Sequence, residues 1–106
     1  MLILLTTTSN KREAKALAQL LLESRLVACV QYYKIKSQYL WAKHKNKAPK
    51  IHKHKEWLLI CKTLNAHYDE IQSLILSAHS YEVPEIITFE AKAQDAYEQW
   101  LYDTLT

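Results

Sequence analysis

The chain has 106 residues, about half of them apolar, and a formal charge of +3, which fits one domain with a real core. It contains no glycine. That excludes glycine-rich phosphate loops and the dinucleotide fingerprint, both of which need bare backbone at the ligand.

Met1-Leu2-Ile3-Leu4-Leu5 and three threonines open the chain without a basic leader, so residues 2–8 are predicted as a first strand, not a signal peptide. Asn10, with Glu13 three residues on, reads as a helix start. Ala14, Leu17, Ala18, Leu21 and Leu22 recur at helical spacing, predicting an amphipathic helix over about 11–24. Residues 27–41 are β-rich, but Lys34 and Lys36 share a face with Val30, Tyr32 and Leu40. A bulge or bend near the middle of that strand would account for the mixture.

Residues 43–55 hold six lysines and no acid; the rest of the chain has 8 basic against 11 acidic residues. This tract, with Pro49, reads as a loop or hairpin tip. Trp57 to Cys61 is a continuous apolar run suited to a central strand covered on both faces. Asn65 is placed to cap a second helix carrying Tyr68, Ile71, Leu74, Ile75 and Ala78. His79 to Pro84 break it. Residues 85–91 alternate as a fourth strand, and a last helix is expected over about 95–104 with Ala96, Trp100, Leu101 and Leu105.

The order β-α-β-β-α-β plus a C-terminal helix predicts an α+β, ferredoxin-like split unit over 1–106, with an extended basic hairpin at about 42–56. Helices on one face leave the other face of the sheet bare, so a homo-oligomer is expected to cover it. No apolar run approaches the ~20 residues of a membrane helix, and Cys29 and Cys61 are read as reduced thiols, so a cytoplasmic location without membrane partners is expected.

Six segments carry a resemblance. They are Leu4 to Thr8, Leu26 to Val30, Ser37 to Trp41, Ile60 to Thr63, His79 to Ile86, and Tyr97 with Trp100. In order and spacing they resemble the CutA divalent-cation tolerance family over nearly the whole chain, and Tyr81-Glu82-Val83-Pro84-Glu85-Ile86 is the most specific part. The resemblance implies a homotrimer with sheets packed around a threefold axis. It also implies a role in the response to divalent metal ions, copper foremost, by binding and not turnover. Some family members bind copper through a first-strand cysteine, a histidine and a glutamate. Only Glu85 transfers; Thr6 or Thr7 and Ala78 stand at the other two positions, and His79 matches a neighbouring family histidine. Ser9-Asn10, Ser80 and Ala42-Lys43 depart from the family pattern, and the hairpin at 42–56 is longer than usual.

Glu85 and His79 are thus the candidate metal ligands, with a structural role for both as the alternative. His44, His52 and His54 are a second candidate set, because two histidines two apart on a strand share a side and three imidazoles suit copper, nickel or zinc. Cys29, Tyr39, Trp41, Lys62, Tyr81 and Trp100, with Glu85, are expected around an inter-subunit pocket that could take a small anion. Aromatic packing between subunits is the alternative. A trimeric small-molecule sensor similar to the PII signalling proteins is a second functional reading. An electrostatic binding module at 43–55 is a third, although nucleic acid is not an expected partner because only Trp41 and Trp57 offer flanking stacking surfaces. No nucleophile–base pair stands at recognisable spacing, so no enzyme is expected.

Overall fold

The computed structural model describes residues Met1–Thr106. The elements are β1 (Leu2–Thr8), α1 (Lys11–Glu23), β2 (Cys29–Trp41), β3 (Lys50–Thr63), a short 3-10 turn (Asn65–His67), α2 (Tyr68–Ala78), β4 (Ile87–Glu90) and α3 (Asp95–Leu105). The four strands form one sheet in the order β2-β3-β1-β4, with every neighbouring pair antiparallel. This is the expected α+β order, and β3 is the expected central strand.

Helix α1 starts as the sequence predicts. The Asn10 side chain accepts a hydrogen bond from the Glu13 amide at 2.8 Å, while the Glu13 carboxylate reaches back to the Ser9 amide and hydroxyl at 3.3 and 2.7 Å. Those hydrogen bonds, the Ser9 hydroxyl first, hold the Glu13 carboxyl below its ordinary pKa. At the other end Arg25 adopts φ 61°. The chain has no glycine for the left-handed position after the Ser24 C-cap, so an arginine takes it at a cost of about 1–2 kcal/mol.

One layer of core lies between the sheet and helices α1 and α2. Leu4, Leu21, Leu59, Cys61, Ile71 and Ile75 are fully buried there. Their positions follow from two periods. Leu4, Thr6 and Thr8 on β1 oppose Cys61, Leu59 and Trp57 on β3, so all six point to the helix side. Helix α1 contributes Ala14, Leu17, Ala18 and Leu21; Leu22, expected in the same stripe, is instead exposed.

Three further expectations need correction. Strand β2 has no bulge: Cys29 to Trp41 pair with Lys62 to Lys50 in unbroken register. The mixed face arises because the outer half of the β2–β3 pair runs on beyond the helices as a two-stranded ribbon, in a molecule 49 Å long and 24 Å across. Residues 50–55, read as part of a loop or extended hairpin tip, are the returning strand of that ribbon, as a hairpin requires. Asn65 does not cap α2; it opens the 3-10 turn, and His67 precedes α2 with no side-chain cap. Strand β4 spans only Ile87–Glu90.

The second face of the sheet is not wholly bare. Helix α3 lies against it, with Leu101 and Leu105 buried. The Lys62 ammonium donates to the Tyr97 hydroxyl at 3.2 Å and sits 5.3 Å from the centre of that ring. Farther out on the same face Tyr33, Ile87 and Phe89 remain about half exposed.

Candidate functional site

The segment from His79 to Ile86 leaves α2 and crosses the end of the sheet. His79 fixes its course. The residue ends α2 in an extended conformation, and its ring packs on Tyr81 with centroids 4.7 Å apart. Nε2 lies 2.6 Å from the Thr7 carbonyl oxygen, and Nδ1 accepts from the Tyr81 amide at 3.0 Å. A carbonyl partner on one side and an N–H on the other assign a neutral imidazole with its proton on Nε2. Both nitrogens are engaged, so His79 acts here as a clamp between β1 and the loop.

Tyr81 then reaches the sheet. Its hydroxyl donates to Glu56 Oε2 at 2.7 Å. Burial first, and this bond with its carboxylate second, raise the Tyr81 phenol well above its usual range. Glu56 is itself buried, on the ribbon side away from the helices. Between loop and ribbon lies an open cleft of about 760 Å³, lined by Tyr39, Trp41, His54, Glu56, Tyr81 and Glu85 and edged by Thr7, Lys36, Gln38 and Val83. Partial burial raises the Glu85 carboxyl above its ordinary pKa, and the negative charge of Glu56 raises it further.

That shift has a testable sign. A carboxyl whose folded pKa is raised is penalised in its charged form, so the penalty is present at neutral pH and is relieved as pH falls through the folded pKa. Glu85→Gln is therefore expected to raise the melting temperature at neutral pH. The gain should vanish below the ordinary carboxyl pKa of 4.5. Differential scanning calorimetry of both proteins across that range checks it; an equal shift at all pH values would dismiss the electrostatic cause.

Of the residues expected around a pocket, Tyr39, Trp41, Tyr81 and Glu85 share this cleft. Cys29, Lys62 and Trp100 do not. Cys29 stands opposite Lys62 at the inner end of the β2–β3 pair, where Tyr97 packs on Trp100 at 5.4 Å. Both cysteines are free; burial first, then Cys29, pushes the Cys61 thiol up to about 12.

His52 and His54 do lie on one side of β3, with ring centroids 6.3 Å apart. They enclose Tyr39, which stacks on His52 at 5.7 Å and shares a 2.8 Å hydrogen bond with His54 Nδ1. His44 lies apart from them in the connection between β2 and β3, where its carbonyl oxygen accepts from the Lys47 amide. No three His, Cys, Asp or Glu side chains of the chain gather as a metal-holding group. The copper set implied by resemblance is likewise unassembled: both His79 nitrogens are engaged, and Thr6, Thr7 and Ala78 offer no soft ligand. Thr6 Oγ1 is buried without a partner.

Glu56 is the functional residue that sequence reasoning missed. Its signal was present: it is the one acid in Lys50–Thr63, at the step from the lysine tract to the apolar run. Only its partner Tyr81, 25 residues on, reveals what it does.

A family model described as CutA1 divalent ion tolerance protein matches residues 2–104. The divalent-cation tolerance protein CutA of Thermotoga maritima is 30% identical over 106 residues, covering 99% of each chain. That of Pyrococcus horikoshii is 30% identical over 104 residues, covering 97% of this chain and 96% of the relative. The crystal structure of CutA1 from Pyrococcus horikoshii superposes with a TM-score of 0.89 at 28% identity, covering 100% of this chain and 99% of that one. The structure of CutA from Synechococcus elongatus gives 0.88 at 34% identity, covering 99% and 89%. With the model matching almost end to end and the same fold in these relatives, the chain belongs to the CutA1 divalent ion tolerance protein family.

Proposed function

We propose that this protein serves divalent-cation tolerance by binding, without turnover, as a cytoplasmic homotrimer. The cation-binding cleft is the one between the ribbon and the 79–86 loop. The carboxyls of Glu56 and Glu85 line that cleft together, and this shared lining is the observation that carries the reading. Burial first and the charge of Glu56 second raise the Glu85 carboxyl, and a divalent cation between the two relieves that repulsion. With two carboxylates, one imidazole nearby and no thiolate, the donor chemistry suits a hard ion such as magnesium or manganese, which keeps several waters, better than copper. The names of the relatives support the general role.

In the proposed trimer the half-exposed side chains Tyr33, Ile87 and Phe89 are the surface for neighbouring copies to cover. Isothermal titration of manganese, magnesium and copper into the protein tests the reading. Saturable manganese binding that Glu56→Gln or Glu85→Gln abolishes is expected; binding untouched by either substitution would refute the assignment.

A second reading has its own observation. Three aromatic rings (Tyr39, Trp41 and Tyr81) line a cleft of about 760 Å³, a size within the usual range of small-molecule sites. A trimeric metabolite sensor would show a melting-point rise with an organic ligand, and none with cations alone.

A further inference from the structure

We propose that the helix-side face of the projecting β2–β3 ribbon is a docking site for double-helical nucleic acid, held through its phosphates without regard to sequence. The sequence presents residues 43–55 as a single basic loop or hairpin tip. The fold does something different with the charge. Unbroken register puts Lys36 directly opposite Lys55, with Lys34 two residues away on one strand and Lys53 two residues away on the other. Residues two apart on a strand share a face, so four lysines form one rigid block. All four are exposed.

Like charges directly opposite one another weaken a strand pair. Here nothing offsets them. The one acid of the ribbon, Glu56, points to the other face and is bonded to Tyr81. The only ion pairs in the chain are those of the N-terminal amine with Glu90 and Glu98. A cluster of this kind is complementary to a dense polyanion, which releases its counterions on binding.

Two observations choose the duplex. First, the face offers charge without a free stacking platform. Trp57, the aromatic at its base, is half-buried, packs on Tyr32 at 6.1 Å and has the Lys11 ammonium 5.7 Å from its ring centre. Tyr39 and Trp41 lie on the opposite side, and Tyr32, the one other ring on the lysine face, is 36% exposed and packed on Trp57, so unstacked bases find little ring surface beside the lysines. Second, a two-stranded antiparallel ribbon is one of the shapes that a major groove admits. Lys43, Lys45 and Lys47 at its tip extend the same charge. The lysines lie on the other face from Glu56; Lys36 also edges the cation cleft, but duplex binding does not depend on a cation being held there.

The test uses a short fluorescein-labelled DNA duplex and fluorescence anisotropy of the full chain. Four phosphate contacts predict a slope of log affinity against log salt of about −3.6. Lys36→Glu turns the like-charged pair with Lys55 into an opposite pair, so it should fold at least as stably as the native chain. It should nevertheless lose at least tenfold in affinity and flatten the slope. Lys92→Glu, exposed at the opposite end of the sheet beside the Ala91–Met1 hydrogen bond, should change neither by more than a small fraction. No duplex binding at low salt, equal losses from Lys92→Glu and Lys36→Glu, or tighter binding to poly-glutamate or to an unpaired oligothymidine than to the duplex would each overturn the proposal.

Discussion

Leu59→Ala is expected to cost about 2–5 kcal/mol of folding stability, the range for a fully buried leucine emptied to alanine. Leu59 sits at the middle of the central strand, opposite Thr6 on one side and Tyr32 on the other, and is 0% exposed. Its side chain points into the layer formed with α1 and α2, where Ala14, Leu17, Ile71 and Ile75 leave no route for solvent. Collapse around the vacated space is resisted from every side, so the cost should fall in the upper part of that range. Leu40 supplies the contrast. It lies two-thirds exposed on the ribbon beyond the helices, so Leu40→Ala should stay within about 0.5 kcal/mol. Chemical unfolding of the three proteins at one fixed protomer concentration makes the comparison, because assembly contributes to apparent stability. Equal costs at both positions would refute the placement of the core.

The second large effect is on assembly. Ile87→Lys combined with Phe89→Lys should convert the proposed trimer to protomers of 12.4 kDa in analytical ultracentrifugation. Ile87 and Phe89 pair with Leu5 and Ile3 on β1 and present half-exposed side chains to the face away from α1 and α2. Each large apolar side chain covered by a neighbour contributes up to about 1.5–3 kcal/mol, and the threefold repeats the loss. The four-residue edge strand β4 is also too short to hold a partner by backbone pairing alone. A variant that sediments like the native protein would place the interface elsewhere.

Much of this fold was legible in the sequence because its two periods are clean. The stripe Ala14-Leu17-Ala18-Leu21 and the apolar run 57–61 each fix an element and its buried side. The left-handed residue Arg25, just past the Ser24 C-cap, was hidden by the absence of glycine, the usual marker. The ribbon was misread for a different reason. Alternation along a strand says which residues share a face, but not how far the helices that cover that face extend, so Lys34 and Lys36 looked like a defect in β2. The candidate site was legible only in its family signature. His79 was a candidate ligand until its contacts placed Thr7, 72 residues away, on one nitrogen and Tyr81 on the other. Glu56 was passed over because a lone acid after a lysine tract looks like ordinary surface until Tyr81 is seen to reach it.

The claim that Glu56 and Glu85 together hold a divalent cation is tested most directly by manganese, whose unpaired electrons broaden nearby nuclear resonances. With sub-stoichiometric manganese added to isotope-labelled protein, the account predicts that signals of Glu56, Tyr81 and Glu85 broaden first. Broadening that begins at His44 or His52, or that spreads evenly over the surface carboxylates while the cleft signals stay sharp, would contradict it.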